Sequence, residues 1–245
     1  MKNWQKKYFN PKFYNPAYPE ARAKAPQEAA FVLKAIGAKK GCSILDVACG
    51  PGRHSVEFAR KGMAVTGLDF CKPYLDEARA DAKKLKLDIK FVLGDMRAMP
   101  FDGEFDAAVC MFTSFGYFNE AGNMRALKSM AKALKPGGKL LLDIMSQDAA
   151  AALPPRDWQC ENETFELEER EFDDRRGIIR NRIIYLRPGE KPVESGFVVR
   201  VYNAQTLSEL LLKAGLKPLA FWDRLNFAKS SAQGNRLVAL AVKGE

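Results

Sequence analysis

Apolar segments of strand length alternate with segments of helical periodicity along most of this chain, beginning near residue 25. Parallel strands need long crossover connections, which are usually helices, so this alternation is typical of an open and mostly parallel α/β sheet. The pattern therefore predicts an α/β fold with helices on both faces of the sheet. At 245 residues, a single enzyme-sized domain is the expected size class.

The predicted elements follow from periodicity and from glycine or proline at their ends. We predict helices at 26–36, 54–61, 73–84, 123–134 and 207–214, and strands at 43–48, 63–68, 89–93, 107–111, 139–144, 219–222 and 237–242. These seven strands predict a Rossmann-like, mostly parallel sheet formed by residues 1–145 and 204–245. Segments 177–187 and 197–202 look like antiparallel strands, so residues 146–203 are expected to form an inserted antiparallel β cap over the substrate site.

Composition narrows the function only slightly. The net charge of +9 would favour an anionic partner such as nucleic acid, but charge governs association more than chemistry. The start of the chain lacks the apolar core of a secretory signal, and no apolar run approaches the length of a membrane span. We therefore expect a cytoplasmic protein without a membrane partner, whose five cysteines are reduced. The sequence does not indicate an oligomeric state.

The most specific motif is a strand that leads into a glycine-bearing turn and a helix, over residues 44–55. Glycines at 50 and 52 let the backbone approach a ligand, and amides at the helix start can receive a carboxylate. The spacing also nearly matches a dinucleotide fingerprint, with Asp69 about 20 residues further on, as expected for a carboxylate that binds ribose hydroxyls. Both an NAD site and another nucleoside site are compatible with this motif.

Two features weigh against a dinucleotide. Asp46 at the end of the first strand would repel a pyrophosphate but attract a ligand with an ammonium and a sulfonium group, and Pro51 removes one amide donor from the turn. Asp95 follows the third strand, where its carboxylate can accept a hydrogen bond from an adenine amino group while Met96 flanks the ring. Three carboxylates at three strand ends favour a nucleoside ligand that also carries positive charge.

The chain resembles class I S-adenosylmethionine-dependent methyltransferases in four successive segments: LDVACGPGRHS, GLDFCKPYLDEAR, GDMRAMPFDGEFDAAVCMFTSFGYF and LKPGGKLLLDI. The TSFGYF stretch is similar to bacterial small-molecule methyltransferases, including relatives of amino-sugar N-methyltransferases. The family usually has glycine where this chain has Ala48. The resemblance implies a Rossmann-like fold, methyl transfer, and S-adenosylmethionine as the methyl donor, with S-adenosylhomocysteine as the product.

The resemblance also implies a set of cofactor-binding residues. Asp46 and the turn of Gly50 to Gly52 would hold the methionine part, Asp69 the ribose, and Asp95 with Met96 the adenine, which Phe70 would flank. The complete predicted cofactor set is Asp46, Ala48, Cys49, Gly50, Gly52, His54, Asp69, Phe70, Asp95, Met96 and Met111. His54, the one histidine, is expected to order the loop or contact the cofactor rather than to act as a general base.

The acceptor is expected beyond the fourth strand, because ligands bind at the carboxyl ends of parallel strands. The predicted substrate-binding residues are Ser114, Phe115, Tyr117, Arg200 and Tyr202, the last two from one face of a cap strand. A neutral amine needs no strong base, whereas an oxygen acceptor would leave Tyr117 or Tyr202 as the candidate catalytic bases. This favours a nitrogen acceptor over oxygen. No ligand cluster suggests a metal.

Two further segments lead to weaker expectations. The acidic run 161–174 followed by arginines predicts cross-strand charge pairs on a solvated hairpin. The N-terminal residues 1–20 mix lysines with aromatic residues, and we interpret them as a lid over the cofactor rather than a nucleic-acid surface. A nucleic-acid methyltransferase and a cofactor-binding protein without turnover remain the alternative functions.

Overall fold

The structure is a computed structural model that describes residues 8–9, 18–161, 163–225 and 235–244. The helices of these residues are α1 (Tyr18–Ile36), α2 (Arg53–Arg60), α3 (Lys72–Lys84), α4 (Glu120–Ala133), α5 (Gln147–Ala152) and α6 (Ala204–Lys213). The strands are β1 (Ser43–Val47), β2 (Ala64–Asp69), β3 (Ile89–Leu93), β4 (Phe105–Cys110), β5 (Leu134–Met145), β6 (Arg156–Glu161), β7 (Thr164–Asp173), β8 (Ile178–Leu186), β9 (Val193–Arg200), β10 (Leu216–Trp222) and β11 (Arg236–Lys243).

Seven strands form one sheet in the order β10-β11-β5-β4-β1-β2-β3. The strands from β5 through β4, β1 and β2 to β3 are parallel, and β11 pairs antiparallel with both β5 and β10. The sheet order reverses between β1 and β4, which is the position where open α/β sheets bind ligands at the strand carboxyl ends. The predicted Rossmann-like, seven-stranded, mostly parallel sheet is therefore confirmed.

Both faces of this sheet are buried, as the alternation of strands and helices predicts. Leu45 and Val47 of β1 point into an apolar cluster that also contains residues of α4 and α6. Ile44 of the same strand points into the opposite cluster, with residues of α1 and α2. Because successive strand residues alternate between faces, the five-residue strand β1 contributes to both cores and stays rigid under the functional loop that follows it.

A second sheet of four antiparallel strands, in the order β6-β7-β8-β9, lies in the chain between β5 and α6. Ser146 and Tyr202, at the two ends of this segment, pair in a parallel bridge, so the chain leaves and rejoins the large sheet at neighbouring points. We call β6–β9 the cap sheet. The predicted charge pairs are present on it, because Arg182 of β8 bonds Glu169 at 3.0 Å and Glu194 at 2.9 Å.

The first helix and β5 differ most clearly from the predicted boundaries. The first helix begins at Tyr18 and passes through Pro26, where we had predicted its start. The preceding residues are mostly strong helix formers, and Ala25, Ala29 and Phe31 are buried, which offsets the hydrogen bond that proline removes. Strand β5 begins at Leu134, so residues 135–138, predicted as a turn, extend the strand instead.

None of the helices in the described ranges combines the length and the apolar character that a bilayer crossing demands. All five cysteines are free thiols, as predicted.

Candidate functional site

A cavity of about 580 Å³ lies at the carboxyl ends of β1, β2 and β4, and the cap sheet closes its opposite side. Its walls come from the loop after β1, the residues after β2 and β3, the loop after β4, and the inner face of the cap sheet. The lining residues from the cap are Gln159, Glu166, Glu168 and Tyr185. Residues of the predicted cofactor edge of the sheet and of the predicted cap thus line one cavity.

The loop after β1 is held in an unusual backbone conformation. Ala48, Gly50 and Gly52 have φ values of 58°, 55° and 81°, all in the left-handed region. A side chain at Gly52 would also place its Cβ 3.1 Å from Ala78 of α3. Ala48, where the family usually has glycine, adopts the left-handed conformation at a cost of about 1–2 kcal/mol, so the loop keeps its path despite the substitution.

Asp69 holds this loop in place from the end of β2. Its Oδ2 accepts a hydrogen bond from the Gly50 amide at 2.9 Å, and its Oδ1 accepts one from the Cys71 amide at 2.8 Å. Burial raises the pKa of Asp69 to about 6, although the amides of Cys71 and Gly50 favour its charged form. The Gly52 amide donates to the Cys49 carbonyl at 3.0 Å, so the amides of both glycines are already used within the protein.

Asp46 is 1% exposed at the base of the cavity. The hydroxyl of Ser55 donates a hydrogen bond of 2.6 Å to its Oδ2. Burial raises the pKa of this carboxyl, and nearby His54 and the Ser55 hydroxyl lower it in part. The backbone amide of Ser55 also donates to Asp46, and a buried carboxylate whose hydrogen-bond donors are both neutral is suited to bind a cationic ligand group.

Arg53, the first residue of α2, supplies the donor that the glycine amides do not. Its Nη1 donates to the Ala21 carbonyl at 2.7 Å and to Oε2 of Glu28 at 2.5 Å, while Nη2 is buried and has no hydrogen-bond partner among the described residues. His54 Nε2 lies 2.8 Å from the same Glu28 oxygen. Burial would raise the pKa of Glu28, but the His54 hydrogen bond and the Arg53 charge lower it to about 2. Arg53 lines the cavity, while its unpartnered Nη2 is itself buried.

Asp95 after β3 also lines the cavity, beside Met96. Both of its carboxylate oxygens accept hydrogen bonds from Arg97, which lowers the pKa of Asp95. The Arg97 guanidinium in turn lies 4.2 Å from the ring centroid of Phe118. Asp95 therefore reaches the predicted adenine region as part of an ion pair with Arg97, whose backbone amide also donates to Oδ1 at 2.8 Å.

The loop after β4 carries a second strained turn. Phe112 and Thr113 have φ values of 56° and 55°, and the amide of Phe112 donates to Oδ2 of Asp143 at 3.0 Å. Asp143 is 1% exposed and forms a bidentate ion pair with Arg236 of β11. The guanidinium of Arg236 lies 5.4 Å from the Phe112 ring centroid and that of Arg53 lies 4.9 Å from it. Sequence reasoning assigned no role to these side chains.

Most predicted cofactor residues line the cavity. The predicted site residues in its wall are Asp46, Ala48, Cys49, Gly50, His54, Asp69, Phe70, Asp95, Met96, Met111, Ser114 and Tyr117. Four predicted residues are outside the wall: Gly52, Phe115, Arg200 and Tyr202.

The positions of Phe115, Arg200 and Tyr202 have clear physical reasons. Phe115 is 1% exposed and stacks on Tyr202 within the main apolar core, with ring centroids 5.9 Å apart. The Tyr202 hydroxyl accepts a hydrogen bond from Asn123 at 3.2 Å, and burial raises its pKa to about 12. Arg200 turns toward the Arg176 carbonyl at 3.0 Å. These three side chains therefore support the fold near the cavity without reaching it.

The cap residues that do reach the cavity were missed because β7 has an inverted pattern. Its inward side chains include Glu166 and Glu168, whereas Phe165 and Leu167 are 42% and 37% exposed. Alternating strands usually place apolar residues inward, so the acidic run indicated a solvated face. The one available signal was the short alternation of glutamate with apolar residues in TFELEE.

The predicted N-terminal lid is described only at Tyr8 and Phe9, both of which line the cavity. Tyr8 packs against Phe197 at 4.8 Å, and Phe9 packs against Tyr117 at 5.3 Å between ring centroids. The other aromatic residues of the predicted lid, namely Trp4, Phe13 and Tyr14, lie outside the described residues, as does the side chain of Tyr18.

Residues 44–138 match the model of the family described as "Methyltransferase domain". The whole chain is also similar to the crystal structure of an S-adenosylmethionine-dependent methyltransferase from Clostridium acetobutylicum, with a TM-score of 0.81 and 20% identity over 94% of this chain and 96% of that one. Residues 44–138 therefore resemble a methyltransferase domain, and the fold of the chain is the Rossmann-like fold of class I S-adenosylmethionine-dependent methyltransferases.

Two curated relatives are matched over different shares of their own lengths. The chain is 40% identical over 114 residues to the ubiquinone/menaquinone biosynthesis C-methyltransferase UbiE of Bdellovibrio bacteriovorus, which is 45% of this chain and 47% of that protein. It is 29% identical over 209 residues to the putative methyltransferase YqeM of Bacillus subtilis, which is 82% of this chain and 84% of that protein. The chain thus spans about half the length of the first of these relatives.

Within the described residues, no group of three or more histidine, cysteine, aspartate or glutamate side chains of this chain is arranged to hold a metal ion.

Proposed function

We propose that this chain transfers the methyl group of S-adenosylmethionine to a small molecule, at a nitrogen or an oxygen atom. The observation that carries the proposal is the single cavity in which the three strand-end aspartates meet the inner face of the cap sheet. The aspartates supply a cofactor side and the cap supplies an acceptor side. Enclosure excludes water, and positioning of two reactants in one cavity can lower a reaction barrier by about 7–11 kcal/mol.

The residues present fit S-adenosylmethionine. The unused Nη2 donor of Arg53 would bind the carboxylate of the methionine part, and buried Asp46 lies nearby to attract its ammonium group. Asp69 would accept hydrogen bonds from the ribose hydroxyls. Asp95, with Met96, would face the adenine. A buried donor without a partner gains a hydrogen bond when an anionic ligand group binds, and this supports the assignment.

When bound, the cofactor supplies a methyl group on a sulfonium centre. The residues of this chain would orient and desolvate that region: Tyr117 lines the cavity, and an aromatic face attracts a cation by roughly 0.5–2 kcal/mol. Phe112 and Phe118 also line it, but the guanidinium groups of Arg53 and Arg97 already lie over their rings. Of the two tyrosines predicted as candidate bases, Tyr117 lines the cavity and Tyr202 does not. The proposal therefore keeps Tyr117 as a candidate base for an oxygen acceptor and gives Tyr202 a structural role.

A nucleic-acid acceptor is the second candidate, favoured by the net charge of +9. Two observations weigh against it. The cap side of the cavity carries Glu166 and Glu168, whose carboxylates repel a phosphate backbone. Residues of the cap sheet also line the cavity opposite the strand ends, which narrows the space available to a polymer at this edge. The relatives do not fix the acceptor atom, since the name of UbiE specifies a C-methyltransferase.

The test is a transfer assay with methyl-labelled S-adenosylmethionine. The protein is incubated separately with a pool of small amines and phenols and with total tRNA, and the label is followed into each fraction. Label in the small-molecule fraction, with release of S-adenosylhomocysteine, is the expected result. Label in tRNA, with a steep dependence on salt, would replace the proposal by the nucleic-acid alternative.

A further inference from the structure

The inner face of the cap sheet is more acidic than folding alone requires. Glu166 and Glu168 of β7 are covered, while the apolar side chains of Phe165 and Leu167 on the same strand point outward. Covering carboxylates and exposing apolar groups both cost free energy. We therefore attribute the reversed polarity pattern of β7 to the ligand that enters the cavity.

The two carboxylates differ in whether a cationic side chain compensates their negative charge. Glu168 accepts hydrogen bonds from Arg170 and, at 3.0 Å, from Asn181, so its charge is compensated within the cap. Glu166 accepts a hydrogen bond from Gln159 at 2.8 Å and another from the Tyr185 hydroxyl, both of which are neutral. Within the described ranges, no lysine or arginine forms an ion pair with Glu166. The cavity thus contains one carboxylate that is hydrogen-bonded but has no cation beside it.

Aromatic rings beside this carboxylate provide an independent indication of the ligand. Tyr117 and Tyr185 line the same cavity as Glu166, and Phe9 extends the aromatic wall. The ring centroids of Phe9 and Tyr117 are 5.3 Å apart, and Tyr117 lies 5.8 Å from Phe197 of the cap. Aromatic faces combined with a carboxylate are the groups with which proteins recognise ammonium ions.

The cap face also retains unused hydrogen-bonding capacity. Oδ1 of Asn181 and Oγ of Ser195 are buried without a hydrogen-bond partner in the part of the chain that the structure describes. Asn181 is on β8, which pairs with β7, and Ser195 is on β9, which pairs with β8. Neither side chain lines the cavity, so these two atoms show only that the interior of the cap sheet beside it is polar.

We propose that the methyl acceptor is a primary or secondary amine that enters as its ammonium ion, which Glu166 binds and from which it takes a proton. This inference rests on the proposed methyl transfer. The N–H proton moves to the Glu166 carboxylate and leaves a lone pair on nitrogen. That pair forms the bond to the methyl carbon while the carbon–sulfur bond breaks and its electrons stay on sulfur. The product is an N-methylammonium ion, and the proton on Glu166 is released to solvent.

The electrostatics of Glu166 suit proton uptake. Its burial and the adjacent carboxyl of Glu168 raise its pKa above the ordinary glutamate value. A carboxylate with a raised pKa is a stronger base, and an ammonium ion bound beside it is more readily deprotonated in a site closed to water. Glu168 acts through Glu166 as a positioning residue, since its own oxygen is already bonded to Arg170.

The experiment compares an amine with its neutral counterpart on the protein saturated with S-adenosylhomocysteine. Benzylamine and benzyl alcohol are titrated calorimetrically into the wild-type protein, Glu166→Gln and the matched control Glu171→Gln, which removes an exposed carboxylate from the outer face of β7. Wild-type protein and the control are expected to bind benzylamine at least tenfold more tightly than benzyl alcohol. Glu166→Gln should lose that preference and keep its affinity for S-adenosylhomocysteine.

A second measurement needs no variant. Carbodiimide modification of Glu166 in the wild-type protein, located by mass spectrometry, should be slowed by benzyltrimethylammonium and not by benzyl alcohol. Equal binding of amine and alcohol, no binding of benzylamine, a preference that persists in Glu166→Gln, or an absence of protection would each overturn the inference. Any of these results with S-adenosylhomocysteine still bound leaves the methyltransfer proposal standing, whereas failure of S-adenosylhomocysteine itself to bind refutes that proposal directly.

Discussion

The carboxylate of Asp69 has two roles. It fixes the loop after β1 by accepting the Gly50 amide, and it borders the cavity where a ribose is expected. Burial makes the charged form costly, so the folded protein holds a proton on Asp69 up to about pH 6. Because the folded-state pKa is raised above the ordinary value, this group destabilises the unliganded protein as pH rises from about 4 through 6. A ligand that donates hydrogen bonds to the carboxylate recovers part of that cost.

We therefore predict that affinity for S-adenosylhomocysteine rises with pH. Ribose hydroxyls donate to the ionised carboxylate, and at pH 5 only about a tenth of Asp69 is ionised, so affinity should increase about tenfold between pH 5 and pH 7.5. Calorimetric titration across this range measures it. Asp69→Asn should bind more weakly and show a flatter profile, because the titrating group is gone.

Other groups near the ligand also titrate, and the asparagine variant separates them from Asp69. Burial raises the pKa of Asp46 as well. If Asp69→Asn retains the full pH dependence, Asp69 is not the group responsible, and the assignment to ribose loses its support.

The residue scale also shows which side chains sequence alone could predict. Asp46, Asp69 and Asp95 were predicted because each follows or ends an apolar strand, and parallel strands bring such ends together. Arg53 was inside the same motif but has no distinctive spacing, and its role depends on Glu28 of a distant helix. Such a pairing between residues 25 apart in the chain cannot be deduced from local pattern.

At the scale of elements, the loop after β4 and the cap sheet meet at one glycine. Gly116 has a φ of 111°, and its carbonyl accepts a hydrogen bond of 2.9 Å from the Arg200 amide at the end of β9. A Cβ at this position would lie 2.3 Å from the Arg200 carbonyl oxygen. The approach of two backbones at Gly116 sets how the cap lies over the loop that lines the acceptor side.

We predict that Gly116→Ala destabilises the protein by about 1–3 kcal/mol, because the backbone must shift and the residue is strained at positive φ. Urea denaturation measures the change. The matched control is Gly103→Ala, which has a φ of 65° and nothing within 4 Å of the added Cβ, and it should cost only about 1–2 kcal/mol of backbone strain. Methyl transfer should fall in Gly116→Ala more than affinity for S-adenosylhomocysteine does. Equal stability of the two variants would show that the close approach has no energetic role.

Some elements of the fold could be predicted from the sequence, and others could not. Helices and strands of the large sheet were predictable since both sheet faces are buried and the strands read as continuous apolar runs. The orientation of β7 could not be predicted, because the alternation within a strand does not show which of its faces is covered. The glutamates of β7 point inward because the cavity that they line is polar. Arg200 and Tyr202 share that uncertainty: their period-two spacing is correct, yet neither side chain lines the cavity.

At the scale of the whole molecule, the net charge favours anionic ligands, whereas the carboxylates of the site favour cationic ones. The protein carries a net charge of +9, while the cavity wall contains Asp46, Asp69, Glu166 and Glu168. The net charge governs long-range attraction of anions, whereas the carboxylates in the cavity wall favour local recognition of cations. The overall charge is thus a poor guide to the acceptor, and the interior of the cavity is the better one.

The central claim is that the strand ends bind S-adenosylmethionine and not a dinucleotide. The most direct test is calorimetric titration of the wild-type protein with S-adenosylhomocysteine and, separately, with NAD, repeated on Asp69→Ala and on Asp76→Ala, an exposed aspartate of α3. We expect S-adenosylhomocysteine to bind and NAD not to. Loss of hydrogen bonds to a charged group is worth about 1.5–3 kcal/mol, so Asp69→Ala should weaken binding at least tenfold while Asp76→Ala leaves it unchanged. Binding of NAD alone, or affinity for S-adenosylhomocysteine that is unchanged in Asp69→Ala, would contradict the account.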